Sequence, residues 1–285
     1  MKKQRIVAVG GGKGGVGKTL FSINLSLALS KRDQSVLVFD GDLGNANCHT
    51  LLGITKVEKS LDEYFKDNIP LNETIVATVY PNLSLICGAS NSVNSFINDV
   101  DVQKRLKKDI LNLDYDYIII DLGAGIGDET IELYNLAQEK IIVLTPQLTS
   151  LQNAYSFVKA SYMFGLGAKK NQPNTFSTRI KGLFKKWFSG VSSDEDRSKY
   201  ERVIQDQKFM IVVNMVTNDS YGEIVSRFLA VVKDFLGLSA VPLGVLYTAS
   251  DVATSINKLV PFLESFPNDR VSKEMTRIAQ ELDRS

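Results

Sequence analysis

A three-layer α/β/α sandwich around a mainly parallel central sheet is the fold that this sequence predicts, on three observations. Short β-rich apolar runs alternate with amphipathic helical stretches, the pattern of a parallel sheet covered on both faces. The first run passes directly into a glycine-rich loop and then a helix. Two later runs, SVLVFD and YDYIIID, end in an aspartate followed within two residues by glycine. With 285 residues, 44% of them apolar and 23% charged, the chain can bury one such core.

In chain order, RIVAV predicts a strand over Arg5–Val9, and KTLFSINLSLALS a helix over Lys18–Ser30. SVLVF and LSLIC predict strands over Ser35–Phe39 and Leu83–Cys87, with a helix over Val102–Leu111 after them. The strand Tyr117–Ile120, the helix Asp128–Gln138, the strand Lys140–Leu144 and the helix Thr149–Phe164 continue the alternation. Phe209–Val213 (strand), Tyr221–Phe235 (helix), Leu243–Leu246 (strand) and Ser272–Leu282 (helix) complete it. The last helix carries an apolar stripe of Val271, Met275, Ile278, Ala279 and Leu282 with acids and bases mixed opposite, which predicts packing on the core. Between Phe164 and the next strand the chain runs far beyond a usual helix-to-strand link. The stretch 167–207 therefore reads as an insertion in a single domain spanning 1–285.

Charge bounds the partners. With 33 basic and 32 acidic residues the formal net charge is +1, so no global field draws the molecule onto nucleic acid or anionic lipid, and specific nucleic-acid binding is not expected. The opening MKKQRIVAVGGGKGG lacks the apolar stretch and cleavage site of a signal peptide, and no apolar run approaches the roughly 20 residues needed to span a bilayer. Cys48 and Cys87 have no CxxC spacing, so neither a disulfide framework nor a zinc or iron–sulfur site is indicated. The expectation is a reduced, cytoplasmic protein.

Gly12-Lys13-Gly14-Gly15-Val16-Gly17-Lys18-Thr19 satisfies GxxxxGK[ST] between a predicted strand and helix, the context that a phosphate loop requires. Its glycines let successive N–H groups turn inward onto phosphate oxygens, and the positive end of the following helix, from Lys18 through Leu20, points at the same place. Lys18 is placed to bridge the β- and γ-phosphates and the Thr19 hydroxyl to ligate Mg²⁺. The alternative, a glycine-rich turn beside a surface lysine, explains neither residue's register. YDYIIIDLGAGIG has the form of a Walker B strand running into a mobile loop. There Asp121 would hold Mg²⁺ through water and the Gly123 N–H would approach the γ-phosphate; a strand that merely meets a turn is the bland reading.

Lys13 is a second lysine inside the loop, and GGGKGGVGKT resembles the KGGxGK[ST] deviant Walker A of the MinD/ParA family. The resemblance implies an ATP- and Mg²⁺-dependent ATPase that dimerises with ATP, Lys13 reaching across the dimer to the partner's nucleotide. DGDLGNAN resembles the family's switch I. It implies that Asp42 orients the attacking water while Asp40 and Asn47 support the Mg²⁺ and phosphate network; a helix cap in a polar turn is the other use of Asp42. FMIVVNMV resembles the strand with the base-contacting asparagine, here Asn214, and Tyr247 to Asp251 match the loop covering the base. Two departures stand out: Gln147 and Asn153 replace acids, and the proline usual near Tyr247 is missing.

The resemblance covers almost the whole chain outside the insertion and is closest to the flagellar-number branch, FlhG, with cell-division MinD as neighbour. Because the sequence enters its first strand directly, the N-terminal extension by which that branch stimulates its GTPase partner is not expected. A flagellar or division-site protein partner is implied. Within the insertion, Phe176–Phe188 sets Phe176, Ile180, Leu183, Phe184, Trp187 and Phe188 at helical spacing opposite Arg179, Lys181, Lys185 and Lys186. That composition suits a helix lying in a membrane surface at the inner face of the cell membrane, or one docking on a partner, or one packed on its own domain. Two other functions remain open: a ParA-type DNA- or cargo-partitioning ATPase, and a metabolic or iron–sulfur scaffold on the same fold, against which the missing cysteine pairs argue. His49 is assigned no role.

Overall fold

In the computed structural model, residues 4–44, 46–89, 99–165, 208–217 and 221–284 are described. Eight strands form one sheet: β1 (Arg5–Gly10), β2 (Val36–Gly41), β3 (Ile75–Ala77), β4 (Leu83–Ile86), β5 (Tyr117–Leu122), β6 (Glu139–Leu144), β7 (Lys208–Val216) and β8 (Ser239–Tyr247). Their order is β3-β4-β2-β5-β1-β6-β7-β8, with every pair parallel except β3 against β4. All seven strands read from the pattern are present. The short antiparallel β3 is additional, its three residues carrying too little alternation to be seen.

Alternation along the strands makes two apolar layers. On β1, Ile6 and Ala8 face one way, into a layer closed by α4 (Val100–Leu111), α5 (Asp128–Leu136), α6 (Leu148–Gly165) and α7 (Tyr221–Leu236). Val7 and Val9 face the other way, against α1 (Lys18–Ser30) and α10 (Arg270–Arg284). The stripe of the last helix behaves as predicted: Val271, Met275, Ile278, Ala279 and Leu282 are all buried.

Local signals move some boundaries. Helix α4 starts two residues before its pattern because the Asp99 side chain accepts the N–H groups of Asp101 and Val102. Four short helices escaped the periodicity: α2 (Cys48–Leu51), α3 (Leu61–Lys66), α8 (Ser250–Asn257) and α9 (Phe262–Ser265). A capping box of Ser60 and Glu63 starts α3. Strand β8 begins at Ser239 rather than Leu243, since an edge strand tolerates Pro242. The stretch 167–207 that the sequence reads as an insertion, with Phe176–Phe188, lies outside the described residues. Among those described, no helix is long and apolar enough to cross a membrane.

Candidate functional site

The carboxyl ends of β1, β2, β5, β6 and β7 gather the predicted residues on one edge of the sheet, where ligands of open α/β sheets bind. From β1 the chain enters the glycine loop and then α1. Gly14 and Gly15 are exposed at the loop's crest, while Val16 is buried and anchors its base. At Gly17 the backbone has φ 91°, and an added Cβ would collide with the Asn214 amide, so only glycine fits. The Lys18 ammonium donates to the Lys13 carbonyl at 3.1 Å. Burial holds it below the usual lysine range, against the attraction of Asp121 and Asp42, which stabilises the charged form.

Asp40 and Asp121 lie side by side because β2 pairs with β5 in the register Asp40–Asp121. Both are buried, at 0% and 1% exposure. Burial, then for Asp121 the charge of Asp40, pushes the Asp40 carboxyl up to about 6 and that of Asp121 up to about 7. Donors gather around the pair. Ser22 Oγ donates to Asp121 Oδ1 at 2.8 Å, and the Thr19 hydroxyl also bonds Asp121. The N–H of Asp42 donates to Asp40 Oδ1 at 3.2 Å and the N–H of Cys48 to Asp40 Oδ2 at 3.1 Å. The Cys48 thiol meets Asp121 Oδ2 at 3.5 Å. Asp40, Cys48 and Asp121 present one ligand atom each within 4.8 Å of one another. Two carboxylates and a hydroxyl form a hard oxygen donor set that fits Mg²⁺.

Asp42 is half-buried beside Lys18, with its carboxyl raised by burial and lowered by that ammonium. A Cβ on Gly123 would lie 2.6 Å from Asp42 Oδ1, so glycine lets the loops after β2 and β5 approach each other. The second of these loops is tied to the phosphate loop by Gly125 N–H donating to the Gly12 carbonyl at 3.2 Å. Asn47 is exposed and caps α2 without a side-chain cap bond.

Leu20, Phe21, Asn214, Met215, Leu246 and Tyr247 line a mainly apolar cavity of about 300 Å³ beside α1. The Asn214 amide donates from Nδ2 to the Val16 carbonyl at 2.9 Å and accepts at Oδ1 from the Met215 N–H at 2.9 Å. That leaves one further N–H and one acceptor lone pair on the amide. Met215 holds φ 58°, a strained turn that presents the amide this way. The Arg270 guanidinium stands 3.3 Å from the Tyr247 ring centroid. Asp251 lies in the first turn of α8 facing Asp269 and is not a lining residue of this cavity. Lys13 turns back on its own chain, donating to Thr149 Oγ1 at 3.0 Å and Gln147 Oε1 at 3.3 Å.

The structure thus brings Lys13, Lys18, Thr19, Asp40, Asp42, Asp121 and Gly123 around one loop, with Leu20, Asn214 and Tyr247 alongside. Sequence reasoning missed Ser22 and Cys48. Ser22 follows Thr19 by one helical turn, a spacing that puts both on one face and was available as a signal. Cys48 gave none, since a lone cysteine has no telling spacing.

A family model described as the NUBPL iron-transfer P-loop NTPase, ParA, matches residues 2–167. Among curated proteins, the chain is 26% identical over 288 residues to "Antiactivator FleN" of Pseudomonas aeruginosa, covering 99% of this chain and 88% of that one. It is 28% identical over 239 residues to "Flagellum site-determining protein YlxH" of Helicobacter pylori, covering 78% and 80%. Among solved structures, septum site-determining MinD with Mg-ADP from Pyrococcus horikoshii superposes with a TM-score of 0.67 at 21% identity, over 98% of this chain and 96% of that one.

Proposed function

The chain belongs to the ParA/MinD family of P-loop NTPases, and from that premise we propose that it is an ATP-hydrolysing switch whose nucleotide state controls its association with partners. The observation that carries this reading is the placement of Lys18 between Asp121 and Asp42 at the mouth of the glycine loop. The loop N–H groups and the α1 amino end would hold the phosphates, with Lys18 at the β- and γ-oxygens. Thr19, Asp40 and Asp121 would hold Mg²⁺, which when bound supplies positive charge to the phosphate oxygens. Asp42 would accept a hydrogen bond from the attacking water and fix its direction, and Gly123 would offer an N–H to the γ-phosphate. Leu20, Asn214 and Tyr247 would receive the base, the spare donor and acceptor of Asn214 reading its edge.

In a dimer formed with ATP, Lys13 would leave Thr149 and Gln147 for the partner's nucleotide. The full-length similarity to FleN and the similarity to YlxH support a role in setting the number or position of a cellular structure, of the flagellar type, through a protein partner. The iron–sulfur scaffold reading is disfavoured, because Cys48 and Cys87, the chain's two cysteines, are both buried.

Equilibrium binding of ATP and solution mass with ATP or ADP test the proposal. Lys18→Ala is expected to lose ATP binding at least tenfold, in line with about 1.5–3 kcal/mol for a charge-assisted contact. Asp42→Ala is expected to keep binding, lose hydrolysis and accumulate as the ATP dimer. Tight ATP binding by Lys18→Ala would sink the assignment of the loop.

A further inference from the structure

We propose that Cys48 is a positioning residue for the metal–nucleotide site, tying Asp40 to the start of α2 through its main-chain N–H and reaching the Asp121 carboxylate through its thiol. The residue opens α2, directly after the Asp40–Asn47 turn. Its N–H holds Asp40 Oδ2 at 3.1 Å and its thiol meets Asp121 Oδ2 at 3.5 Å. Cys48 therefore spans both strand-end carboxylates, and any displacement of switch I that carries α2 withdraws a donor from β5.

Packing alone does not call for sulfur here. Cys48 is fully buried, and Val9, Leu52 and Cys87 belong to the same apolar cluster, so an aliphatic side chain of similar size would fill the space. What the thiol adds is a weak donor lying between the two carboxylates, in contact with Asp40 and with Asp121 Oδ2, while Ser22 occupies Asp121 Oδ1. Ser22 lies within α1, whereas Cys48 opens α2 directly after the switch I turn, so in the proposed switch a displacement of that turn would act on Cys48 and not on Ser22. A thiol is a weak donor, so the bond orients Oδ2 and still yields it. Partners of this kind around a metal carboxylate set its direction and its affinity for the ion.

The inference rests on the Mg²⁺–nucleotide reading above, and the test separates the two. A fluorescent ATP analogue is bound to the full chain and Mg²⁺ is titrated in, with the gain in nucleotide affinity as the readout, independent of turnover. Cys48→Val is expected to raise the half-maximal Mg²⁺ concentration about tenfold, and Cys48→Ser, which keeps a donor, to stay within about threefold of wild type. Affinity for the analogue without Mg²⁺ stays the same in all three. A Cys48→Val protein that melts earlier but keeps the wild-type Mg²⁺ midpoint reduces Cys48 to packing and overturns the inference. Should Cys48→Val fail to fold, Cys48→Ala carries the same comparison. A wild-type protein whose nucleotide affinity ignores Mg²⁺ overturns the functional reading and the inference together.

Discussion

Asp121 follows three isoleucines and sits wholly inside the protein, next to a second carboxylate whose repulsion outweighs the attraction of the Lys18 ammonium. Two like charges in such a place are costly, and the raised pKa of each carboxyl expresses that cost. The sign follows directly. The folded value of about 7 lies above the ordinary 3.8, so the folded state binds the proton more tightly. The penalty is absent below the ordinary value, builds between the two, and is fully present above pH 7 or so. In metal-free protein, Asp121→Asn is thus expected to unfold later than wild type at alkaline pH, by on the order of 2 kcal/mol, with the gap closing as the pH falls. Thermal unfolding in a chelator across this range checks it; a gap that widens on acidification contradicts it. The pair was legible in sequence as two strand ends in aspartate. Their contact was not, since it depends on β2 lying beside β5.

Helix α10 and strand β8 form a unit that closes one side of the sheet. Ile278 is fully buried and packs against the surface left free by Gly244, where an added Cβ would collide with its side chain. Arg277 donates to the Leu243 carbonyl at 2.7 Å and Glu274 accepts the Val245 N–H at 3.3 Å, so side chains of α10 occupy main-chain groups of this edge strand. Ile278→Ala should cost about 2–5 kcal/mol, the range for a large-to-small change in a core, read from denaturant unfolding. A loss well under 1 kcal/mol would show that the helix contributes little to this side of the core. The apolar stripe revealed the helix in sequence, whereas its capping of β8 rests on polar residues that the stripe argument treats as solvent-facing.

At the scale of the whole molecule, the edge that carries the glycine loop is one of the places where apolar groups are exposed. Leu148 is 70% exposed and Ile126 42%, and Leu148 lies between Gln147 and Thr149, the residues that hold Lys13. In the proposed ATP dimer, the second copy of the chain would cover these groups. The insertion is the other candidate contact. Replacing Phe184 and Trp187 with polar residues is expected to release the protein from anionic vesicles, or from its partner, while leaving ATP binding unchanged. Co-sedimentation with ATP against ADP measures it, and unchanged pelleting would return Phe176–Phe188 to packing on its own domain.

By itself the sequence determined whatever is contiguous. A glycine loop between a strand and a helix, a strand ending in aspartate and an apolar stripe each owe their form to backbone geometry and periodicity within a few residues. The tertiary structure alone decided what those pieces touch. Asn214 bonds Val16 across 198 residues, Cys48 reaches Asp121 across 73, and Lys13 meets Thr149 across 136. Each of these contacts follows from the strand order β4-β2-β5-β1-β6-β7 and its registers. Buried strands in a parallel sheet read alike, as continuous apolar runs, so no pattern within one strand specifies which neighbour it will have.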